Sequence, residues 1–373
     1  MQPQDGFPQE LLHQPIAQRI AYFENYTMAH PKLMEAAQNL MHLILQPTGA
    51  SLIFVFGPTG VGKSTLLKRV TQKLMEAALS EMDADKCYIP IAGIEAMSPD
   101  FSNFDWNDFY VRALMAFKEP MIEKKMNRTN SKLKLRLALE SALSNRKPKA
   151  FFVDEAQHLG KVASGRKLRD QTDCIKSLAN IAQTRFVLCG TYELVILRNL
   201  SGQLCRRSTD IHFPRYLAES SQDQKAFKSI VQTFQRHLPL PETPDLLGCW
   251  DFCYERSIGC VGILKDWLTC TLSAVLEEDN DTKTLTLKDL ERHAKSLEEC
   301  MIMLTEAQEE EKKLKDNPEI RDKLRAALGL DVIDSSQVKS SISQEKPAVK
   351  RARSVGKPLP RRRTVGKDQY VGQ

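Results

Sequence analysis

The chain has 373 residues with a formal net charge of +6; 42% of the residues are hydrophobic and 27% charged. That is long enough for a large core and one to three domains, and the balance fits a soluble globular protein. No apolar run approaches the roughly 20 residues of a membrane span, and nine scattered cysteines, an odd number without a Cys-x-x-Cys, speak against both a disulfide framework and a zinc site.

Residues 1–18 are polar, contain three prolines and are expected to be poorly ordered. They lack the basic start and apolar stretch of a secretory signal, so a cytoplasmic location is expected. From Arg19 to Leu45 the apolar positions Ile20, Phe23, Leu33, Ala37, Leu40, Met41, Ile44 and Leu45 predict two helices. Gln46 to Gly49 reads as a turn.

Ser51 to Phe56 is almost wholly bulky and apolar, as a strand buried on both faces requires. Gly57-Pro58-Thr59-Gly60-Val61-Gly62-Lys63-Ser64-Thr65 follows, and Leu66, Leu67, Val70, Leu74 and Leu79 continue with helical spacing. Strand, Gly-x4-Gly-Lys-Ser and helix together form the phosphate-binding loop pattern. The glycines admit backbone conformations closed to residues with a Cβ, so successive N–H groups can converge on a phosphate at the positive end of the helix dipole. In that pattern Lys63 reaches the β- and γ-phosphates of ATP and Ser64 ligates Mg²⁺. Thr65 falls in the first helical turn, near the α-phosphate.

Cys87 to Ala92 predicts a second strand, at a sheet edge because of Pro90. Asp105 to Phe117 reads as a helix, with Trp106, Phe109, Tyr110, Leu114 and Phe117 forming a core face. Lys124 to Arg146 is a basic helix-forming stretch, with Lys124, Lys125, Arg128, Lys132, Lys134 and Arg136 near its start. A solvated helix face and a nucleic-acid path both remain open for it.

Lys149 to Val153 is a short apolar strand that ends in Asp154 and Glu155, about 90 residues after the phosphate loop. Asp154 would hold Mg²⁺ beside Ser64, and Glu155 would orient and polarise the attacking water. Gly160 to Arg169 is expected to be a basic loop, with Lys161, Arg166, Lys167 and Arg169; helix 173–182 follows. Thr184 to Cys189 reads as a fourth strand ending in Gly190 and Thr191, whose hydroxyl can meet the γ-phosphate or the water. Residues 192–197 predict a helix, and a fifth strand runs from Thr209 to Phe213. Residues 219–300 predict helices over 222–237, 245–256, 262–277 and 286–299, and 305–328 reads as a charged helix. From Asp334 onward the chain is poor in apolar residues and expected to be disordered alone. Lys346 to Lys367 holds nine basic residues and no acidic one, so the folded body is close to neutral and the basic character belongs to the tail. The repeat Arg353-Ser-Val-Gly-Lys357 and Arg363-Thr-Val-Gly-Lys367 suits a bivalent partner or nucleic-acid contact, or only an electrostatic tail.

Together these features predict an α/β fold: a P-loop αβα sandwich with a five-stranded parallel sheet, which resembles an AAA+ ATPase with a C-terminal helical lid. The expected organisation is an N-terminal helical extension over 1–45, a nucleotide-binding core over 46–217, a lid over 218–300, a charged helical segment over 301–333 and a basic tail over 334–373. The resemblance implies that Thr191 is the polar sensor after the fourth strand. It implies that Arg206 or Arg207 is an arginine finger reaching a neighbouring subunit's nucleotide. Lys265, after Gly259 and Gly262, matches the lid sensor, where the usual residue is Arg.

Within AAA+ proteins the chain most resembles the TniB/TnsC group of DNA transposition regulators. The features that carry this are Arg19-Ile-Ala-Tyr-Phe23, Phe56 to Thr65, Asp154-Glu-Ala-Gln-His158, Ile175 to Asn180, Val187 to Glu193 and Gln203 to Arg207. The resemblance implies a homo-oligomeric ring or filament on DNA that works with a target-selection protein and a transposase, without a membrane. DNA contacts would be mostly to phosphates, with Lys124, Lys125, Arg128, Lys132, Lys161, Arg166, Lys167 and Arg169 as candidates. The alternatives are a secretion-associated or initiator-like loader, and a nucleotide-dependent scaffold that hardly hydrolyses.

Overall fold

A computed structural model describes residues 6–46, 50–99, 104–120, 122, 131–161, 165–200, 202–279, 282–314 and 318–330. Five strands, β1 (Leu52–Phe56), β2 (Ile91–Glu95), β3 (Ala150–Asp154), β4 (Arg185–Gly190) and β5 (Ser208–His212), form one sheet in the order β2-β3-β4-β1-β5. All four pairings are parallel. Parallel neighbours need crossovers, and helices supply them.

Alternation along the strands divides the core between two faces. Phe54, Phe56, Phe151, Val153, Phe186 and Leu188 face one side. There they meet helices α5 (Trp106–Ala116), α6 (Ser131–Arg146) and α7 (Gly165–Ala182). Ile53, Val55, Phe152, Val187 and Cys189 face the other side, against α2 (Pro31–Leu45) and α3 (Lys63–Ala77). A short α4 (Leu79–Ala84) follows α3, and α8 (Leu194–Arg198) and α9 (Gly202–Arg207) connect β4 to β5.

A third core is helical. It joins α10 (Ser221–His237), α11 (Trp250–Ser257), α12 (Val261–Glu278) and α13 (Leu287–His293) with α1 (Ile16–Asn25). Phe23 of α1 is fully buried in it, edge-on to Phe234. The buried Arg19 donates from Nε and Nη2 to Pro239 O at 3.1 and 2.8 Å. The N-terminal helices are therefore shared out: α1 packs with the helical region and α2 with the sheet. Helix α14 (Leu297–Leu314) lays Cys300, Met303 and Leu304 against Ile258, Cys260 and Ile263. Residues 315–373 form a separate unit, in which α15 (Pro318–Ala327) is exposed along its length.

Some boundaries differ from the sequence reading. The expected loop over 160–169 is helical from Gly165, because α7 extends two turns N-terminal to 173 and carries the buried Thr172. Strand β2 starts at Ile91 rather than Cys87; Ile89 and Pro90 bond instead to the turn before β3, with Ile89 N–H donating to Arg146 O and Lys149 N–H to Pro90 O. As expected, β2 is an edge strand. The helix expected over 286–299 is two helices. Ser296 and Glu299 form a reciprocal capping pair, with Glu299 N–H on Ser296 Oγ at 3.2 Å and Ser296 N–H on Glu299 Oε2 at 2.8 Å, which starts α14 afresh. Among the described residues no single helix is long and apolar enough to cross a membrane.

Candidate functional site

In a parallel sheet all strand C-termini lie along one edge, and ligands bind there. That edge gathers Gly57 after β1, Asp154 at the end of β3 and Gly190 at the end of β4. The loop 57–62 turns tightly, with φ +71° at Gly60 and +108° at Gly62, and α3 starts directly at Lys63. Its N-terminal N–H groups and dipole therefore face the loop's cavity. Lys63 is 6% exposed, and its ammonium donates to Gly57 O at 3.2 Å and Pro58 O at 2.9 Å. Burial lowers its pKa, while the nearby Cys189, Glu155 and Asp154 act in the opposite direction.

Ser64 Oγ donates to Asp154 Oδ2 at 2.8 Å, although the residues are 90 positions apart. A hydroxyl and a carboxylate oxygen so placed are the hard oxygen donors that Mg²⁺ takes, and these two residues would hold it. The other Asp154 oxygen accepts from the Glu155 N–H at 3.0 Å. Glu155 has left-handed backbone, φ 49° and ψ 34°, a conformation costing roughly 1–2 kcal/mol outside glycine. Gln157, 7% exposed, donates from Nε2 to Glu155 Oε2 at 2.5 Å and accepts the Thr191 N–H on Oε1 at 3.2 Å. The buried Thr191 hydroxyl has no hydrogen-bond partner among the described residues. Lys63, Ser64, Glu155 and Thr191 line one cavity of about 240 Å³ together with Thr59, Thr65 and Asp266. An unpartnered hydroxyl, an ammonium and helix N–H groups in one cavity suit a phosphate group.

The helical region contributes to the wall of this cavity through Gly262 and Asp266 of α12. Ile263 N–H donates to Gly60 O at 3.2 Å, which seats the start of α12 on the loop. The α12 side chain that lines the phosphate cavity is Asp266, whose carboxyl is pushed up by burial and pulled back by Lys265 and Lys295. Lys265 lines a smaller neighbouring cavity of about 60 Å³, with Thr65, Tyr26 and His30. Its ammonium hydrogen-bonds to the carbonyls of Phe23 and Glu24 and lies 4.4 Å from the Phe23 ring centre. It thus caps the C-terminal end of α1 and is not among the groups lining the phosphate cavity. His30 in the same wall is held neutral: burial, then Lys32 and Arg69, pushes its pKa down to about 4.

Arg206 and Arg207 end α9 with exposed side chains, while Leu204 anchors that helix in the core. Lys132 is exposed on α6. Lys161 is exposed, with Nζ 3.3 Å from Ser98 Oγ. Arg166, Lys167 and Arg169 fall on the first turns of α7; their side chains lie outside the described residues, as do Lys124, Lys125, Arg128 and the basic tail. Sequence reasoning did not single out Asp266, which lines the cavity, or Gln157, which bonds Glu155 and Thr191. For Gln157 a signal was available, since a glutamine two residues after Glu155 sits within reach of the same strand edge.

Residues 46–197 match the family model described as an AAA domain. No curated protein matches the chain. Among solved structures, the chain is similar to the Aeropyrum pernix ORC1 protein in complex with DNA, at 14% identity and a TM-score of 0.52, covering 78% of this chain and 69% of that one. It is also similar to the ORC2 protein of the same organism in its ADP form, at 17% identity and a TM-score of 0.50, covering 73% and 71%. The phosphate loop and the strand-end carboxylates fall within the residues that match the AAA domain model, and the five-stranded parallel sheet with its helices is an α/β P-loop fold.

Proposed function

We propose that the protein is an Mg²⁺-dependent ATPase that assembles with itself on target DNA and links target selection to a transposase, in the manner of TniB/TnsC regulators. The observation that carries the hydrolytic part is the 2.8 Å contact between Ser64 Oγ and Asp154 Oδ2, on the rim of a cavity that also presents Lys63, Glu155 and Thr191. Ser64 and Asp154 would hold Mg²⁺, and the chemistry it would supply there is neutralisation of charge on phosphate oxygens. Lys63 would exchange the carbonyls of Gly57 and Pro58 for phosphate oxygens. Glu155 would orient the attacking water and take its proton, and the Thr191 hydroxyl would meet the γ-phosphate or the water.

Self-assembly is supported by the exposure of Arg206 and Arg207. It is also supported by a cavity of about 480 Å³ beside Thr59 and Thr191, lined by Glu306, Glu309 and Glu310 of α14. Such an anionic approach suits a cation arriving from a neighbouring subunit. DNA binding would rest on local basic clusters: the stretch from Lys124 to Arg136, and Lys161 with the start of α7. Their contacts would be to phosphates, so binding would fall steeply with salt. The tail, residues 346–367, would dock the transposase or another partner.

Electron microscopy with plasmid DNA and a slowly hydrolysed ATP analogue tests this reading. Nucleotide-dependent rings or filaments along DNA of any sequence are expected, and the charge-neutralised variant of Lys161, Arg166, Lys167 and Arg169 should bind more weakly with a flatter salt slope. Deleting residues 335–373 should spare this assembly and weaken transposition; loss of DNA binding on tail deletion alone would reverse the two roles. A second reading, an initiator-like loader, draws on the likeness to the ORC1 protein solved with DNA. Discrete complexes confined to one DNA sequence would favour it.

A further inference from the structure

We infer that Gln157 is a positioning residue for Glu155, tying its carboxylate to the backbone of Thr191 so that the water-orienting group and the γ-phosphate contact are set as one unit. This rests on the ATPase reading given above. Gln157 stands in the short 3-10 turn Ala156–Gly160 that follows β3, and its side chain crosses to the end of β4. One end of the carboxamide donates to Glu155 Oε2 at 2.5 Å and the other accepts from Thr191 N–H at 3.2 Å. The two bonds have fixed polarity. A carboxylate can only accept and a backbone N–H can only donate, so the bridge requires a group that donates at one end and accepts at the other; an amide meets this and a carboxylate does not.

The surroundings are shaped for this bridge. A Cβ on residue 190 would fall 2.1 Å from Gln157 Oε1, so glycine at the end of β4 leaves the room that the carboxamide occupies. Glu155 sits in a left-handed backbone conformation, and its carboxylate lies within hydrogen-bond reach of Gln157. With Oε2 held, the carboxylate has a restricted arc in which to meet a water in the phosphate cavity. Because Gln157 also holds the Thr191 backbone, a displacement of Thr191 by a bound γ-phosphate passes to Glu155 through one rigid amide. A glutamine that only filled core space would leave turnover and binding to change together or not at all.

The test uses Gln157→Met, which keeps the length of the side chain and removes both hydrogen bonds, in the full chain. Turnover is measured with saturating Mg²⁺-ATP, and affinity by fluorescence titration with N-methylanthraniloyl-ATP. The expected result is a kcat reduced about 10- to 100-fold, the range for a misplaced catalytic group. KM and nucleotide Kd should stay within about twofold of wild type. In a Glu155→Gln background the same substitution should add less than its full loss, because one of the two groups it positions is already gone. If Gln157→Met does not fold, Gln157→Glu serves: it keeps the shape and an acceptor for Thr191 but sets a second carboxylate against Glu155, and a kcat loss with unchanged Kd is again expected. An unchanged kcat in a hydrolysing chain, a parallel loss of Kd, or full additivity with Glu155→Gln overturns the inference alone. A folded wild type that binds Mg²⁺-ATP without turning it over overturns the ATPase reading together with it.

Discussion

Replacing Lys63 with Ala should strongly weaken nucleotide binding. In the folded chain the buried ammonium is held by two neutral acceptors, Gly57 O at 3.2 Å and Pro58 O at 2.9 Å. Binding exchanges these for anionic phosphate oxygens, so the gain is the difference between the two sets of partners. One charge facing a phosphate charge at about 3 Å contributes about 5 kcal/mol at an effective dielectric of about 20. The carbonyl contacts given up are worth about 1–3 kcal/mol. The remainder, about 2–4 kcal/mol, corresponds to a Kd weakened about 30- to 900-fold. Burial disfavours the charge of Lys63, so Lys63→Ala should fold with an unchanged far-ultraviolet circular dichroism spectrum. Titration with N-methylanthraniloyl-ATP and Mg²⁺ measures the effect. A folded Lys63→Ala chain whose Kd stays within about threefold of wild type would refute the assignment of the loop.

Glu155→Gln should keep nucleotide binding and hold the ATP state, since it removes the water-orienting charge and spares Ser64 and Asp154; turnover at the wild-type rate would show that Glu155 is not the base. Mixing Lys63→Ala subunits with Arg206→Ala/Arg207→Ala subunits should restore part of the hydrolysis, because each kind can complete a site with the other; co-assembled mixtures without any activity would count against a shared site. Lys265 provides a pH signature. Burial lowers its pKa from 10.5 to about 8, against the pull of Asp266 and Glu24. Between those values the unfolded chain holds a proton that the folded chain has released, so stability attributable to this group rises as pH goes from 8 towards 10.5. Urea unfolding across this window should show that rise in wild type and lose it in Lys265→Met; identical slopes would mean that Lys265 is not desolvated at the end of α1.

The phosphate loop could be read from the chain because its chemistry is local. Closely spaced glycines, a lysine and a hydroxyl between a buried strand and a helix place N–H groups, charge and dipole within a few residues of one another. The same holds for Asp154 and Glu155 at the end of an apolar strand, and for the alternation of strands and helices that implies a parallel sheet. Boundaries were less readable. The start of α7 hides behind glycine and basic residues that also suit a loop, and the break before α14 depends on a capping pair at Ser296 and Glu299 that outweighs a continuous helical pattern.

Residue types at fixed spacing therefore determined the phosphate site, its candidate metal-binding pair and the class of fold. Tertiary structure decided which groups meet across long separations. Whether Lys265 or Asp266 turns towards the phosphate cavity depends on how α12 is rotated. That rotation is set by packing against α1, some 240 residues earlier in the chain, where the carbonyls of Phe23 and Glu24 take the lysine ammonium. Likewise Gln157 reaches Thr191 only because β3 and β4 are neighbours in the sheet and glycine ends β4. Spacing along a chain specifies the direction of a side chain from its own backbone; only the packed arrangement of elements specifies what lies in that direction.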